Sequence, residues 1–193
     1  MIKELLRRYD NYALSVSMTS RNPRPGEAEG REYFFVTREK FEQTIREDGL
    51  IEHACYVGNY YGTPKAYVEE CLSKGRDVIL EIEIQGALQI KKKFPDAVLM
   101  FVMPPSADTL YARLTGRGTE DHETIVKRMQ RAVEESAGIE EYDYIIVNDD
   151  LDESVETMHN VIRAAHLSPK RNIAFIEKVR DELTSMKTDS EPI

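Results

Sequence analysis

Three apolar runs in the second half of the chain constrain its fold more than any other feature. "DVILEIEIQG", "AVLMFVMPP" and "DYIIVND" are separated by stretches of helical periodicity around Gln85–Lys93, Ala107–Leu114 and Glu123–Ser136. Strand–helix–strand succession returns a chain to the same sheet by a crossover, so the alternation predicts a parallel, right-handed α/β sheet with helices on both faces. In the first run Val78, Leu80, Ile82 and Ile84 alternate with Glu81 and Glu83, which turns both carboxylates away from the apolar side. The other two runs are continuously apolar, the pattern of strands covered on both faces. "LDESVETMHNVIRAAH" follows, a helix with Leu151, Val155, Met158 and Ile162 on one face.

The first half reads differently. From about Ser15 to Gly62 short strand-like runs dominate, "YALSVSM", "REYFFV" and "LIEHACYVGNYYG", and they predict a smaller antiparallel lobe inserted over the sheet. "RNPRPGEAEG" is a turn, and another falls near Gly58. "TREKFEQTIREDG" is a helix with Thr37 as N-cap and Gly49 as its stop; a second begins at Thr63-Pro64, capped by Thr63, and ends at Gly75. The chain opens in a helix, "MIKELLRRYD", built on Ile2, Leu5 and Leu6. It closes in another, "NIAFIEKVRDELTSM", built on Ile176, Val179 and Leu183, before a frayed "KTDSEPI".

A length of 193 residues suits one domain with a real core. The net charge of −9 argues against wholesale nucleic-acid binding, which calls for a basic balance. No apolar run approaches the roughly 18 residues of a membrane span, and no secretory segment is present. Cys55 and Cys71 make no metal or redox spacing and fit a reduced compartment. A cytoplasmic protein with neither nucleic-acid nor membrane partners is the expectation.

Two stretches carry chemistry. "SVSMTSRNPRPGEAEGREYFF" brings Ser17, Arg21, Arg24 and Tyr33 near one another through a strand–turn–strand, and guanidinium forks suit phosphate oxygens. The same arginines can equally be solvated and paired with Glu27, Glu29 and Glu32. "PPSADTLYARLTGRGTEDHETIVKRMQRA" sets Arg113 and Arg117 on one helix face and Arg128 and Arg131 on the next. The Gly116–Gly118 break suits a hinged lid, although an ordinary charged surface has the same pattern. Between the two, a carboxylate such as Glu52 can accept from the N1–H and N2–H edge of guanine, while a hydroxyl such as that of Thr63 donates to O6.

Together "SVSMTSRNPRPGE", "EYFF", "GNYYGTP", "LEIEIQGA", "PPS", "GRGT" and "VNDDLD", in this order and spacing, resemble the guanylate kinases of the bacterial and yeast type from Ile2 to about Ala165. The resemblance implies a P-loop kinase-type α/β core (1–14 and 76–165) with a helical lid at about 106–136. It also implies a GMP-binding lobe (15–62), with 166–193 as a C-terminal helical extension. It implies phosphorylation of GMP or dGMP by ATP with Mg²⁺, in a monomer or homodimer, with no residue assigned as a direct metal ligand. Ser17, Arg21, Arg24, Tyr33 and Tyr61 would hold the GMP phosphate and its surroundings. Glu52 and Thr63 would read guanine with Glu83 assisting. Glu81 would lie at the magnesium and phosphate end, and Asn148 would border adenine. Arg113, Arg117 and Arg128, with Arg21, would act on the transferring phosphoryl group. Ser20 stands where the family often has Thr, and Glu83 where yeast-type members have Asp.

The sequence contains no G-x-x-x-x-G-K-[ST], the loop that cradles donor phosphates in such kinases. The expectation is a chain that begins after its first strand and P-loop, with a GMP site but little ATP-dependent turnover. The alternative is a kinase-dead relative that binds GMP or phosphopeptides; the retention of lid arginines beside base-reading residues favours the former.

Overall fold

The computed structural model describes residues 1–56, 58–116 and 122–188. Its parallel core is built from two strand pairs. β1 (Tyr12–Leu14) runs parallel to β6 (Asp77–Ile79), and β7 (Met100–Met103) runs parallel to β8 (Tyr144–Val147). Among the described residues no strand pairing joins one pair to the other. They share packing instead: Ile79 of β6 and Met100 of β7 meet one cluster of Leu5, Tyr12, Val155 and Met158. That cluster is delivered by α1 (Ile2–Arg8) and α7 (Leu151–His166), the helices whose apolar stripes the sequence marks.

Val78, adjacent to Ile79, packs instead with Ile51, Val68 and Ile90. Consecutive strand residues point to opposite faces, so the two clusters cover opposite sides of the β1–β6 pair. On this second side lie α3 (Lys65–Ser73) and α4 (Ile84–Lys93). The first apolar run is shorter as a strand than its alternation predicts. Its ladder ends at Ile79, and Glu83 leaves it to cap α4, accepting from the Gly86 N–H at 2.7 Å. Leu80 and Ile82 nonetheless keep facing the same cluster as Val78.

The third run departs further. Of the four residues of β8 only Ile146 is buried, while Ile145 and Val147 are half-exposed. β8 has a neighbour on one edge and α7 against it, so the predicted two-sided cover is one-sided.

The inserted lobe is a four-stranded sheet in the order β3-β2-β5-β4, made of β2 (Ser17–Thr19), β3 (Tyr33–Phe35), β4 (Leu50–Tyr56) and β5 (Asn59–Pro64). β2, β5 and β4 are antiparallel as expected, but β3 is parallel to β2, so the sheet is mixed. Residues 20–32 carry the chain back to the start of β2, turning through Gly26 and Gly30 at φ +88° and +72°. α2 (Arg38–Arg46) is capped by Thr37, whose hydroxyl accepts from the Lys40 N–H. Its stop is Asp48, which takes the left-handed φ of +53°, rather than Gly49. Gly49 is needed for another reason: a Cβ there would stand 2.8 Å from Thr44 Cγ2.

α5 (Ala107–Thr115) and α6 (His122–Ser136) follow β7, and α8 (Ile173–Thr188) ends the chain. The predicted apolar stripe of α8 is covered at Ile176 and Val179 only in part, and Leu183 is exposed. Residues 189–193 of the tail expected to fray lie outside the described residues. No helix among the described residues is long and apolar enough to cross a membrane.

Candidate functional site

A pocket of about 960 Å³ opens between the mixed sheet and α6. Its deepest polar group is Glu52, only 3 % exposed, and the local chain explains how a carboxylate comes to be there. Leu50 pairs with Pro64 and His53 with Gly62, so Ile51 and Glu52 together oppose the single residue Thr63. This is a β-bulge, which re-aims the side chains it carries. It sends Ile51 into the apolar cluster and leaves Glu52 lining the pocket. Gly62 is required opposite the bulge, since a Cβ there would meet the Glu52 carbonyl oxygen at 2.8 Å and Leu50 Cδ1 at 2.9 Å.

The Glu52 carboxylate is held from two sides. Thr63, fully buried, donates its hydroxyl to Oε1 at 2.7 Å. Thr63 therefore does not cap α3 as its sequence position suggests; Pro64 occupies the N-cap with no side-chain bond. On the other side Oε2 fits against Gly86 of α4, where a Cβ would approach within 2.5 Å. Burial pushes the Glu52 carboxyl above its ordinary range; the Thr63 hydrogen bond opposes that shift and the nearby charge of Glu83 adds to it.

Ser17, Arg21, Arg24, Tyr33 and Tyr61 form another part of the wall. Arg21 is bidentate to Glu27, with Nη1 and Nη2 at 2.9 and 3.0 Å from its oxygens, and it also engages the Tyr61 hydroxyl. The Tyr33 ring lies 5.3 Å from the guanidinium carbon, a cation–π distance, and stands edge-on to Tyr61. Arg21 is thus paired with one of the carboxylates the sequence offered, Glu27, and also lines the pocket. Glu32 pairs with Arg31, and Glu29 accepts from the Phe35 N–H. Burial raises the Tyr33 phenol, and the pair with Glu27 holds the Arg21 guanidinium protonated.

Glu81 and Glu83 line the pocket beyond the end of β6, and Arg128 lines it from α6. Arg131, one turn on, faces Glu83 Oε2 at 3.5 Å while holding Glu134 and Glu135 on its own helix. Thr124, Lys127, Arg128 and Arg131 share one face of α6 toward the pocket. Lys127 is a lining residue that the sequence reading does not name, although its place four residues before Arg131 puts it on the same helix face. Arg113 and Asn148 do not belong to this lining. They meet each other, the Arg113 guanidinium donating to the Asn148 carbonyl at 2.6 Å beside the end of β8. Arg117 lies outside the described residues.

Chemically the pocket offers the buried carboxylate of Glu52, cations from two sides and the exposed carboxylate of Glu81. That suits an anionic ligand with a hydrogen-bonding ring. Thr63, which the sequence reading also placed at the site, stands behind Glu52 outside the lining. Among the described residues no group of three or more His, Cys, Asp or Glu is placed to hold a metal ion.

A sequence model of the guanylate kinase family matches residues 1–165. Over 162 residues the chain is 55 % identical to the guanylate kinase of Streptococcus thermophilus, spanning 84 % of this chain and 78 % of that one. It is 48 % identical over 174 residues to the guanylate kinase of Latilactobacillus sakei, spanning 90 % and 86 %. The crystal structure of guanylate kinase from Anaplasma phagocytophilum superposes with a TM-score of 0.73 at 35 % identity, covering 88 % of this chain and 82 % of that one.

Proposed function

The chain belongs to the guanylate kinase family, enzymes that transfer a phosphoryl group from ATP to GMP, and on that premise we propose how the pocket takes its acceptor. Guanine lies against Glu52, whose carboxylate accepts from N1–H and N2–H, while Thr63, its one hydroxyl proton given to Glu52 Oε1, steadies that carboxylate instead of donating to O6. Glu83 assists from the N-terminus of α4. The GMP phosphate lies among Ser17, Arg21, Arg24, Tyr33 and Tyr61. The observation that carries this placement is the buried Glu52 carboxylate, steadied by the Thr63 hydroxyl outside the lining, in the same cavity as the arginines. A site with a buried acceptor rejects a base that presents another acceptor to it, because both groups then go unpaired.

On the acceptor side the transfer needs little beyond this; on the donor side this sequence has no G-x-x-x-x-G-K-[ST] to cradle the ATP phosphates, so little ATP-dependent turnover is expected of it. The GMP phosphate has a second pKa of about 6 and is largely a dianion at neutral pH, so it attacks without a general base. Catalysis is positioning together with neutralisation of the phosphoryl oxygens. Arg21 and Arg128 face the pocket for that work, and Arg113 and Arg117 complete it as the lid spanning about 106–136 closes over the lobe of residues 15–62. Glu81 marks the end toward ATP, and Asn148 borders its adenine. Mg²⁺ enters with the ATP phosphates as part of the substrate. We place the protein in the cytoplasm, where Cys55 and Cys71 stay reduced.

Calorimetric titration tests the placement. Wild-type protein binds GMP and not AMP at matched concentrations. Glu52→Gln weakens GMP by about 100-fold, since it replaces a charged two-point acceptor, and leaves inorganic phosphate binding unchanged. Arg24→Gln weakens GMP but not guanosine. Equal affinity for AMP, or undiminished GMP binding by Glu52→Gln, overturns the placement.

A further inference from the structure

Among the described residues β4 is the outer strand of its sheet, with β5 along one edge and no strand along the other. An outer strand presents unpaired N–H and C=O groups. At the bulge these groups decide where Glu52 points, because β5 has lost register there. α4 lies along this edge and supplies side chains in place of a strand. Gln89 accepts from the His53 N–H at 3.4 Å and donates to the His53 carbonyl at 2.8 Å. One turn further, Lys93 Nζ donates to the Ile51 carbonyl. The residues on either side of Glu52 are therefore tied to one helix by side chains four positions apart.

The residue type matters at position 89. A primary amide sets a donor beside an acceptor, as a strand residue does, so Gln89 can pair in both directions with one residue of β4. Gln89 does not line the pocket, so it has no direct contact through which to act on a ligand there. Its route is the main chain of His53, immediately after Glu52.

We infer that Gln89 is a positioning residue for base recognition: its two-way pairing with His53 holds the bulged strand so that the Glu52 carboxylate meets both N–H groups of guanine. The inference rests on the proposed placement of guanine against Glu52. A carboxylate that is slightly mis-aimed keeps one hydrogen bond and loses the second. Guanine, with N1–H and N2–H, then suffers more than hypoxanthine, which has N1–H alone.

Titration of GMP and IMP into wild-type, Gln89→Met and Gln89→Glu proteins tests this, with thermal melts recorded alongside. Both variants match Gln89 in size; Met removes both hydrogen bonds, and Glu keeps the acceptor but sets an oxygen against the His53 carbonyl. The expected result is a loss of about tenfold in GMP affinity against less than about threefold for IMP, so that the preference contracts. Equal losses for the two nucleotides with a lowered melting midpoint would make Gln89 a structural brace and overturn the positioning role; unchanged affinities would overturn it as well. If Gln89→Met fails to fold, the Gln89→Glu ratio decides. A wild-type protein without GMP preference, or a preference that survives Glu52→Gln, defeats the guanine placement itself and is distinguished by those two measurements.

Discussion

Glu52 sits where its own charge is disfavoured. Its carboxyl titrates above its ordinary value of 4.5 because it is buried and faces the charge of Glu83. The folded chain therefore holds this proton more tightly than the unfolded chain, and stability is lost as pH rises through the elevated value. Glu52→Gln removes that penalty. Its melting midpoint is expected to exceed wild type at pH 8, with the gap closing as pH falls through the Glu52 transition. With guanine placed against Glu52 as proposed, recognition runs the other way, since only the carboxylate accepts two hydrogen bonds. Guanosine, which has no phosphate to titrate, is expected to lose affinity on acidification at a pH above 4.5, and the same titration with Glu52→Gln is expected to be flat. Gly86 gives a second test at this scale. Gly to Ala in a helix ordinarily stabilises by about 0.4–1 kcal/mol. Here the new methyl would stand 2.5 Å from Glu52 Oε2, so Gly86→Ala is expected to lower both the melting midpoint and GMP affinity.

Among the elements, the Thr37 cap was legible in the sequence, while those of Ser106 and Asp150 emerge from the structure. Thr37, Ser106 and Asp150 each accept from main-chain N–H groups of the helix they precede. Asp150 accepts from both Asp152 and Glu153, at 2.8 and 2.9 Å, and α7 carries Val155 and Met158 into the core. Asp150→Ala is expected to cost about 1 kcal/mol in urea denaturation. Thr63 had the same local signature, yet its hydroxyl serves Glu52, because a buried carboxylate is more expensive to leave unpartnered than a helix end that Pro64 already starts. The direction of β3 was equally unreadable. Apolar alternation marks a strand and its faces but says nothing about which way its neighbour runs, and the path of residues 20–32 decided that.

For the molecule as a whole, the division of the core into two clusters sets what a mutation can reach. Leu5, fully buried, joins α1 and α7 to both parallel strand pairs on the face away from the pocket's supporting cluster. Leu5→Ala is expected to destabilise by about 2–5 kcal/mol in denaturant titration, as large-to-small core changes do. Its GMP affinity at 25 °C, measured on the folded fraction, is expected to stay within about twofold of wild type, since distant sites act independently.

The sequence by itself determined the α/β class, the positions of the helices and the family, and it named Ser17, Arg21, Arg24, Tyr33, Glu52, Tyr61, Glu81, Glu83 and Arg128, which line one pocket, because these depend on periodicity, local capping and ordered motifs. Which groups meet was decided by the tertiary structure. The bulge that turns Glu52 inward, the diversion of Thr63 to it, and the pairing of Gln89 with an outer strand all join residues of different elements. Each follows from the need to partner buried polar groups, a requirement that exists only once the surrounding elements have packed.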